Sequence, residues 1–464
     1  MILRRRLYAV LAVATTLTAG GAVPALAHGL GGRLDLPVPL TFFVVAAGVV
    51  LVLTFAGLAV IWPDPRLQEP RPEPAGRPVP WLWNLLGGIG AFLLALTLVA
   101  GAIGIDNSTR NPAAVVVFVG FWLILPFTAA LLVDLHPAMS PWRRLPHWLG
   151  LRPTERPEML ERLGYWPATA IFLAFTWFEL VAPDNGPRSI GIAALVFTVY
   201  MLAMSMWLGT DTATQTSDGF AVYARFLGGI SPFTFEGGVW RRRGWLRGLV
   251  NLPERPGMAA FVISMIGTVT YDGGASTEWW GTWIRDPLLG MFEGWGWTVR
   301  PATVVTGTIG WAAVTLLIGV TYYAASAAAA HWGGVSTGTR HVARRFAHTL
   351  VPIGFAYAFA HYMTLIVFEG QLFISTFSDP FGLGWDLFGT ADRRLDFTLI
   401  QQSRSWVWYL QVGVIVLGHI GGVVLSHDRA LADFPRAKAV ASQYAMLLLM
   451  VILTGLGLVI LAAG

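Results

Sequence analysis

Cysteine is absent from this chain. That excludes disulfides, thiolate metal sites and cysteine nucleophiles in one step. Lysine is nearly absent, Lys438 being the only one, so the formal net charge of +5 rests on arginine. Charged residues of both signs make up 12% of the 464 residues, and 55% are hydrophobic. A soluble domain carries about 25% charged residues. With so little charge and a mean hydropathy of +0.60, the chain reads as an all-α, polytopic membrane protein whose first partner is the lipid bilayer. It shows no basic, aromatic-laced module for nucleic acid. HExxH, Walker A and dinucleotide fingerprints are missing, and no nucleophile elbow is read.

Apolar runs near bilayer length recur along the chain. They place about ten transmembrane helices at 39–62, 81–105, 113–133, 165–182, 189–208, 257–271, 302–330, 346–368, 406–425 and 441–462. Residues 1–27 read as a cleavable signal peptide: Arg4, Arg5 and Arg6, an apolar core, then Ala25-Leu26-Ala27. Cleavage would expose His28, whose amine and imidazole together chelate copper, although the plainer reading is a residue that merely follows the cut. Residues 28–464 form one helical domain. Arginine is concentrated in loops 63–80, 134–164, 209–256, 331–345 and 426–440. The positive-inside rule makes those cytoplasmic. Both mature termini then lie outside the plasma membrane.

Ionisable side chains inside spans are costly and mark function. One layer, near the cytoplasmic side, gathers His331, His348, His419 and His427 with Asp134, His136 and Asp211. His348 and His419 are its candidate ligands for haem or copper, while His331, His341 and His427 read as helix caps facing headgroups. Gly418 and Gly422 form a GxxxG pair that lets another helix come close. The second layer, near the outer side, gathers Glu179, Asp272, Tyr357, His361 and Glu369. Asp272 ends a short span before two glycines, a place where a break would line a cavity. Asp272, His361 and Glu179 suit a divalent metal ion that activates water. Asp272, His361 and Tyr357 suit general-base catalysis without one. A carboxylate facing an imidazole would fix its tautomer. Pro352 removes a helix bond beside His348. His348 and His361, 13 positions apart, lie about 20 Å apart in rise on opposite faces, so one site does not use both. The tryptophans at 279, 280, 283, 295 and 297 read as an aromatic belt or a lid.

Several of these stretches carry a resemblance. Ala27-His28-Gly29-Leu30, Asp35-Leu36-Pro37-Val38-Pro39, Tyr271-Asp272-Gly273, the run from His348 to Gln371, Gly384-Trp385-Asp386-Leu387-Phe388-Gly389, and Gly418-His419 through His427-Asp428-Arg429-Ala430-Leu431 together resemble an integral membrane family of high-GC bacteria labelled fenitrothion hydrolase. The resemblance covers nearly the whole mature chain, with Tyr271 where the family has phenylalanine. It implies hydrolysis of apolar organophosphate triesters near the outer face. The residues by themselves leave two alternatives open: a haem- or copper-binding redox or metal-handling protein, and a proton-coupled transporter; an apolar small molecule is a possible partner.

Overall fold

Long apolar runs become helices because, within a bilayer, each backbone N–H must find its own carbonyl. The computed structural model describes residues 38–68, 76–398 and 404–463. The signal peptide and His28 lie outside those residues. The principal helices are α1 Leu40–Ile61, α2 Pro80–Ile103, α3 Pro112–Leu131, α4 Trp166–Leu180, α5 Pro187–Leu208, α6 Gly219–Gly228, α7 Met258–Ala275, α8 Val299–Gly333, α9 Val351–Glu369, α10 Arg404–Asp433 and α11 Tyr444–Ala463. Among the described residues, eight helices are long and apolar enough to cross a membrane. The eight do not include α4, with 15 residues, or α7, with 18. Prolines sit at the first turns of α2, α3, α4, α5 and α9, where the missing N–H costs nothing.

The fold is organised around α7. Fifteen of its eighteen residues are buried, and it packs against α8, α4, α9 and α11. Gly267 lets α8 approach, since a Cβ there would stand 2.7 Å from Thr315 Cα. Three polar side chains of α7 satisfy themselves within the helix: Ser264 donates to the Ala260 carbonyl, Thr268 to Ser264 and Thr270 to Ile266. Such back-bonding lets a helix carry hydroxyls through an apolar core. Asp272 is a different case, because it bonds to another helix. The expected break after Asp272 does not form. Helix α7 runs on through Gly273 and Gly274 to Ala275. Gly273 instead serves close packing, a Cβ there standing 2.7 Å from Ile460 Cγ2 on α11.

Helices α9 and α10 form another close pair. A Cβ on Gly418 would meet Ala356 Cβ at 2.3 Å and the Pro352 carbonyl oxygen at 2.6 Å, and one on Gly422 the Thr349 carbonyl oxygen at 2.9 Å. Pro352 does not break a helix there. It lies in the first turn of α9, after a 3-10 turn over Ala347–Leu350. At the same end of the bundle, Arg345 bonds Asp433 and, at 3.1 Å, Glu254. A small antiparallel sheet departs from the all-helical expectation. Strands β1 Arg77–Pro78, β2 Phe233–Glu236 and β3 Val239–Arg242 pair in the order β1-β3-β2, joining two loops read as cytoplasmic. The middle of α3, Val115–Ile124, is wound as a π-helix, a wider winding that recurs at functional sites.

Candidate functional site

The polar residues of α7 and α9 meet near the ends marked by Ala275 and Glu369. His361 Nε2 lies 2.9 Å from Asp272 Oδ2, and the Tyr362 hydroxyl donates to the same oxygen at 2.5 Å. Asp272 is 5% exposed and the His361 side chain 17%, so the imidazole is the part of the pair within reach from outside. With Asp272 ionised, both partners donate to it, and Nδ1 of His361 is left as the basic nitrogen. The rings of His361 and Tyr362 stand 4.7 Å apart, nearly edge to face. Glu179 on α4 is within electrostatic reach of Asp272, with the Trp122 indole beside it, and also of Tyr223. The buried Oε2 of Glu179 closes no bond of good geometry within the protein. Two carboxyl groups, an imidazole and two phenols thus share one neighbourhood inside an apolar bundle.

The remaining candidates are dispersed. Tyr357, one turn before His361, does not join the pair. Its hydroxyl is buried without a protein partner, beside a small cavity shared with His419. His419 Nδ1 donates to the Ile415 carbonyl at 2.8 Å. His348 lies instead beside Arg345 and Arg429, its ring bonded to the Arg345 carbonyl. The two histidines therefore have different neighbours. The space at His419 is about 10 Å³, about the size of one water. Among the described residues no group of three or more histidine, aspartate or glutamate side chains is arranged to hold a metal ion.

Several of the other polar positions have structural partners. His427 bridges Gln443 Oε1 and the Trp62 carbonyl. Asp211 pairs with Arg143 at 2.7 Å on the surface. Asp134 accepts from the His136 backbone N–H, and burial pushes its carboxyl up to about 6. Burial, with Arg143 and Arg225 nearby, pushes His136 down to about 3. The spacing Gly334-Val335-Ser336-Thr337-Gly338 matches GxSxG in form only. It links two helices, and Ser336 is exposed in it, whereas an elbow needs a preceding strand. Trp280 packs on Tyr271 and against Gly310, while Trp279, Trp283, Trp295 and Trp297 stay exposed.

A cavity of about 590 Å³ lies on the other side of α3 and α4. Phe121, Ile124, Phe175, Phe178, Val196 and Phe197 are among its lining residues. Its size is that of a small-molecule site. Ile124 and Val196 are also exposed at the outer surface of the bundle, so the cavity borders the lipid-facing side. A wall of aromatic rings divides it from the polar cluster: Trp122 packs 4.7 Å from Phe175 and stacks 5.1 Å from Tyr223.

Reasoning from sequence missed Tyr362, Tyr223 and Trp122. Adjacent helix positions such as 361 and 362 do not share a face, so Tyr362 gave no signal beside His361. Only the position of Asp272 between the two rings joins them. Compared with family models, with curated proteins and with solved structures, the chain matches none.

Proposed function

We propose that the protein couples proton exchange at the Asp272–His361 cluster to the binding of an apolar small molecule in the neighbouring cavity, as a proton-coupled membrane transporter. The observation that carries this reading is that the cavity and the cluster are opposite faces of the same two helices. On α4, Phe175 and Phe178 line the cavity while Glu179 belongs to the cluster. On α3, Phe121 and Ile124 line it while Trp122 turns towards Tyr223. A ligand that displaces the Phe175–Trp122 wall changes the packing around Glu179, and a protonation change at Glu179 or Asp272 changes the wall in return. That reciprocity is what coupling requires. The proposal includes ten crossings of the plasma membrane, with α4 and α7 as short ones, both termini outside, and the cluster in the outer half.

A second reading is the phosphotriester hydrolysis implied by the family resemblance. The observation favouring it is the Asp272–His361 hydrogen bond with Nδ1 left over as a general base for water. Against it, neither residue lines the 590 Å³ cavity, the space that would hold a triester.

One experiment separates the two. Purified protein is placed in liposomes carrying an internal pH dye, fenitrothion is added, and internal pH and nitrophenolate release are recorded together. The transport reading expects a pH change without nitrophenolate, lost in Asp272→Asn and His361→Ala. Nitrophenolate release lost in the same variants would replace it with the hydrolase reading.

A further inference from the structure

The region between α7, α9, α10 and α11 contains three polar atoms whose hydrogen-bonding capacities fit together. His419 is 1% exposed. Its Nδ1 faces the Ile415 carbonyl, which can only accept, so Nδ1 carries the proton and Nε2 presents a bare lone pair. Among the described residues no protein group donates to that nitrogen. The Tyr357 hydroxyl, also buried, has a proton to give and, among the described residues, no protein group that takes it. Thr270 Oγ1 spends its proton on the Ile266 carbonyl at 2.7 Å and keeps a lone pair. All three residues line one cavity of about 10 Å³, closed by Ile353 and Leu453.

Each element of this arrangement has a local cause. Gly457 on α11 lets the Tyr357 ring lie flat against that helix, since a Cβ there would be 2.3 Å from Tyr357 Cε2. Gly418, one residue before His419, brings α10 against Pro352 and Ala356. The imidazole and the phenol therefore border the same cavity.

We infer that this cavity is a binding site for a single ordered water molecule. The water accepts from Tyr357 O–H and donates to His419 Nε2 and Thr270 Oγ1, which makes the three bonds typical of a buried water. The volume admits one such molecule. One imidazole with two hydroxyls is not a donor set for a tightly held transition metal. The role of the water rests on the proton-exchange reading above. Tyr357 lies within electrostatic reach of Asp272, so a change of charge at the outer acid–base pair is felt at the water and, through it, at His419.

The test is hydroxyl-radical labelling of the full-length protein in nanodiscs by X-ray radiolysis, which marks side chains next to bound water. Tyr357 is expected to label several-fold faster than Tyr322, which is also buried but bonds the Ala343 carbonyl at 2.6 Å. His419→Leu, which removes the acceptor and fills the space, is expected to bring Tyr357 down to the Tyr322 rate. Equal rates for the two tyrosines in the parent protein would overturn the inference, as would an unchanged Tyr357 rate in His419→Leu. A high-resolution density map gives an independent readout, expected to show one peak within hydrogen-bond distance of Tyr357 Oη and His419 Nε2. No peak there, or one with metal-like scattering, would also overturn it. Labelled Tyr357 with proton uptake unchanged in Tyr357→Phe keeps the water and removes its proposed role. Unlabelled Tyr357 with uptake still lost in Asp272→Asn removes the water and keeps the transport reading.

Discussion

Replacing Gly418 with alanine isolates one contact between α9 and α10. The added methyl carbon would sit 2.3 Å from Ala356 Cβ and 2.6 Å from the Pro352 carbonyl oxygen. The first neighbour is a methyl that cannot rotate away, and the second is backbone at the first turn of α9. Relief therefore requires the two helices to separate. Overpacking of this kind costs about 1–3 kcal/mol. Alanine in place of glycine within a helix returns about 0.5–1 kcal/mol. Gly413, on the same helix, supplies the internal control, because a Cβ there meets nothing within 4 Å. Gly413→Ala should collect only the favourable part. The two variants should then differ by about 2 kcal/mol, with melting temperatures displaced in opposite directions from the parent. Thermal unfolding in detergent, followed by size-exclusion recovery after heating, reads this directly. If Gly418→Ala melts with or above Gly413→Ala, the α9–α10 contact is not the close one described.

The remaining predictions use the same reasoning elsewhere. Asp272→Asn and His361→Ala should each abolish proton uptake, and the double variant should lose no more, since the two groups act as one unit; uptake in liposomes checks this, with His341→Ala as a silent control. His136 is held neutral down to about pH 3, whereas the unfolded chain protonates it near 6.5. The unfolded state binds the extra proton, so this residue removes stability as pH falls from about 6.5 towards 3. His136→Gln should flatten that acid limb in a series of melts. Arg345→Ala leaves Glu254 and Asp433 without their shared guanidinium and should cost about 2 kcal/mol in detergent stability, mostly recovered in high salt.

Much of the helical framework was legible from composition, because an apolar run in a bilayer has few alternatives to a helix. Asp272 and His361 stood out because each is an ionisable residue in an apolar run, and the structure places them in contact. The way they meet was not legible. The glycines after Asp272 read as a turn, yet the helix runs through both and Gly273 serves close packing, since nothing in Tyr271-Asp272-Gly273-Gly274 says which neighbour approaches. The separation of Tyr357 from His361 was equally hidden. Four-residue spacing gives a shared face but not which helix each side chain meets. The 590 Å³ cavity was invisible for a related reason. It is lined by ordinary span residues, and only their three-dimensional arrangement leaves the space between them.

Asp428 has a consequence for how the protein is made. Its Oδ1 accepts from Trp62 Nε1 and from the backbone N–H groups of Arg66 and Leu67, and its Oδ2 accepts from Gln68 Nε2. The segment that leaves α1 is thus fastened by a residue 366 positions later in the chain. Helix α1 packs mainly on α10 and α11, the last two principal helices to be synthesised. During insertion, then, α1 enters the bilayer long before either its packing partners or its clasp exist. Its surroundings in that interval are lipid, which suits the exposed Val45, Val49, Leu53 and Val60 along its length. Assembly closes on α1 only when α10 and α11 have emerged, so truncation before Asp428, which removes α11, should leave α1 inserted but undocked, as loss of crosslinking between α1 and the retained part of α10 would report.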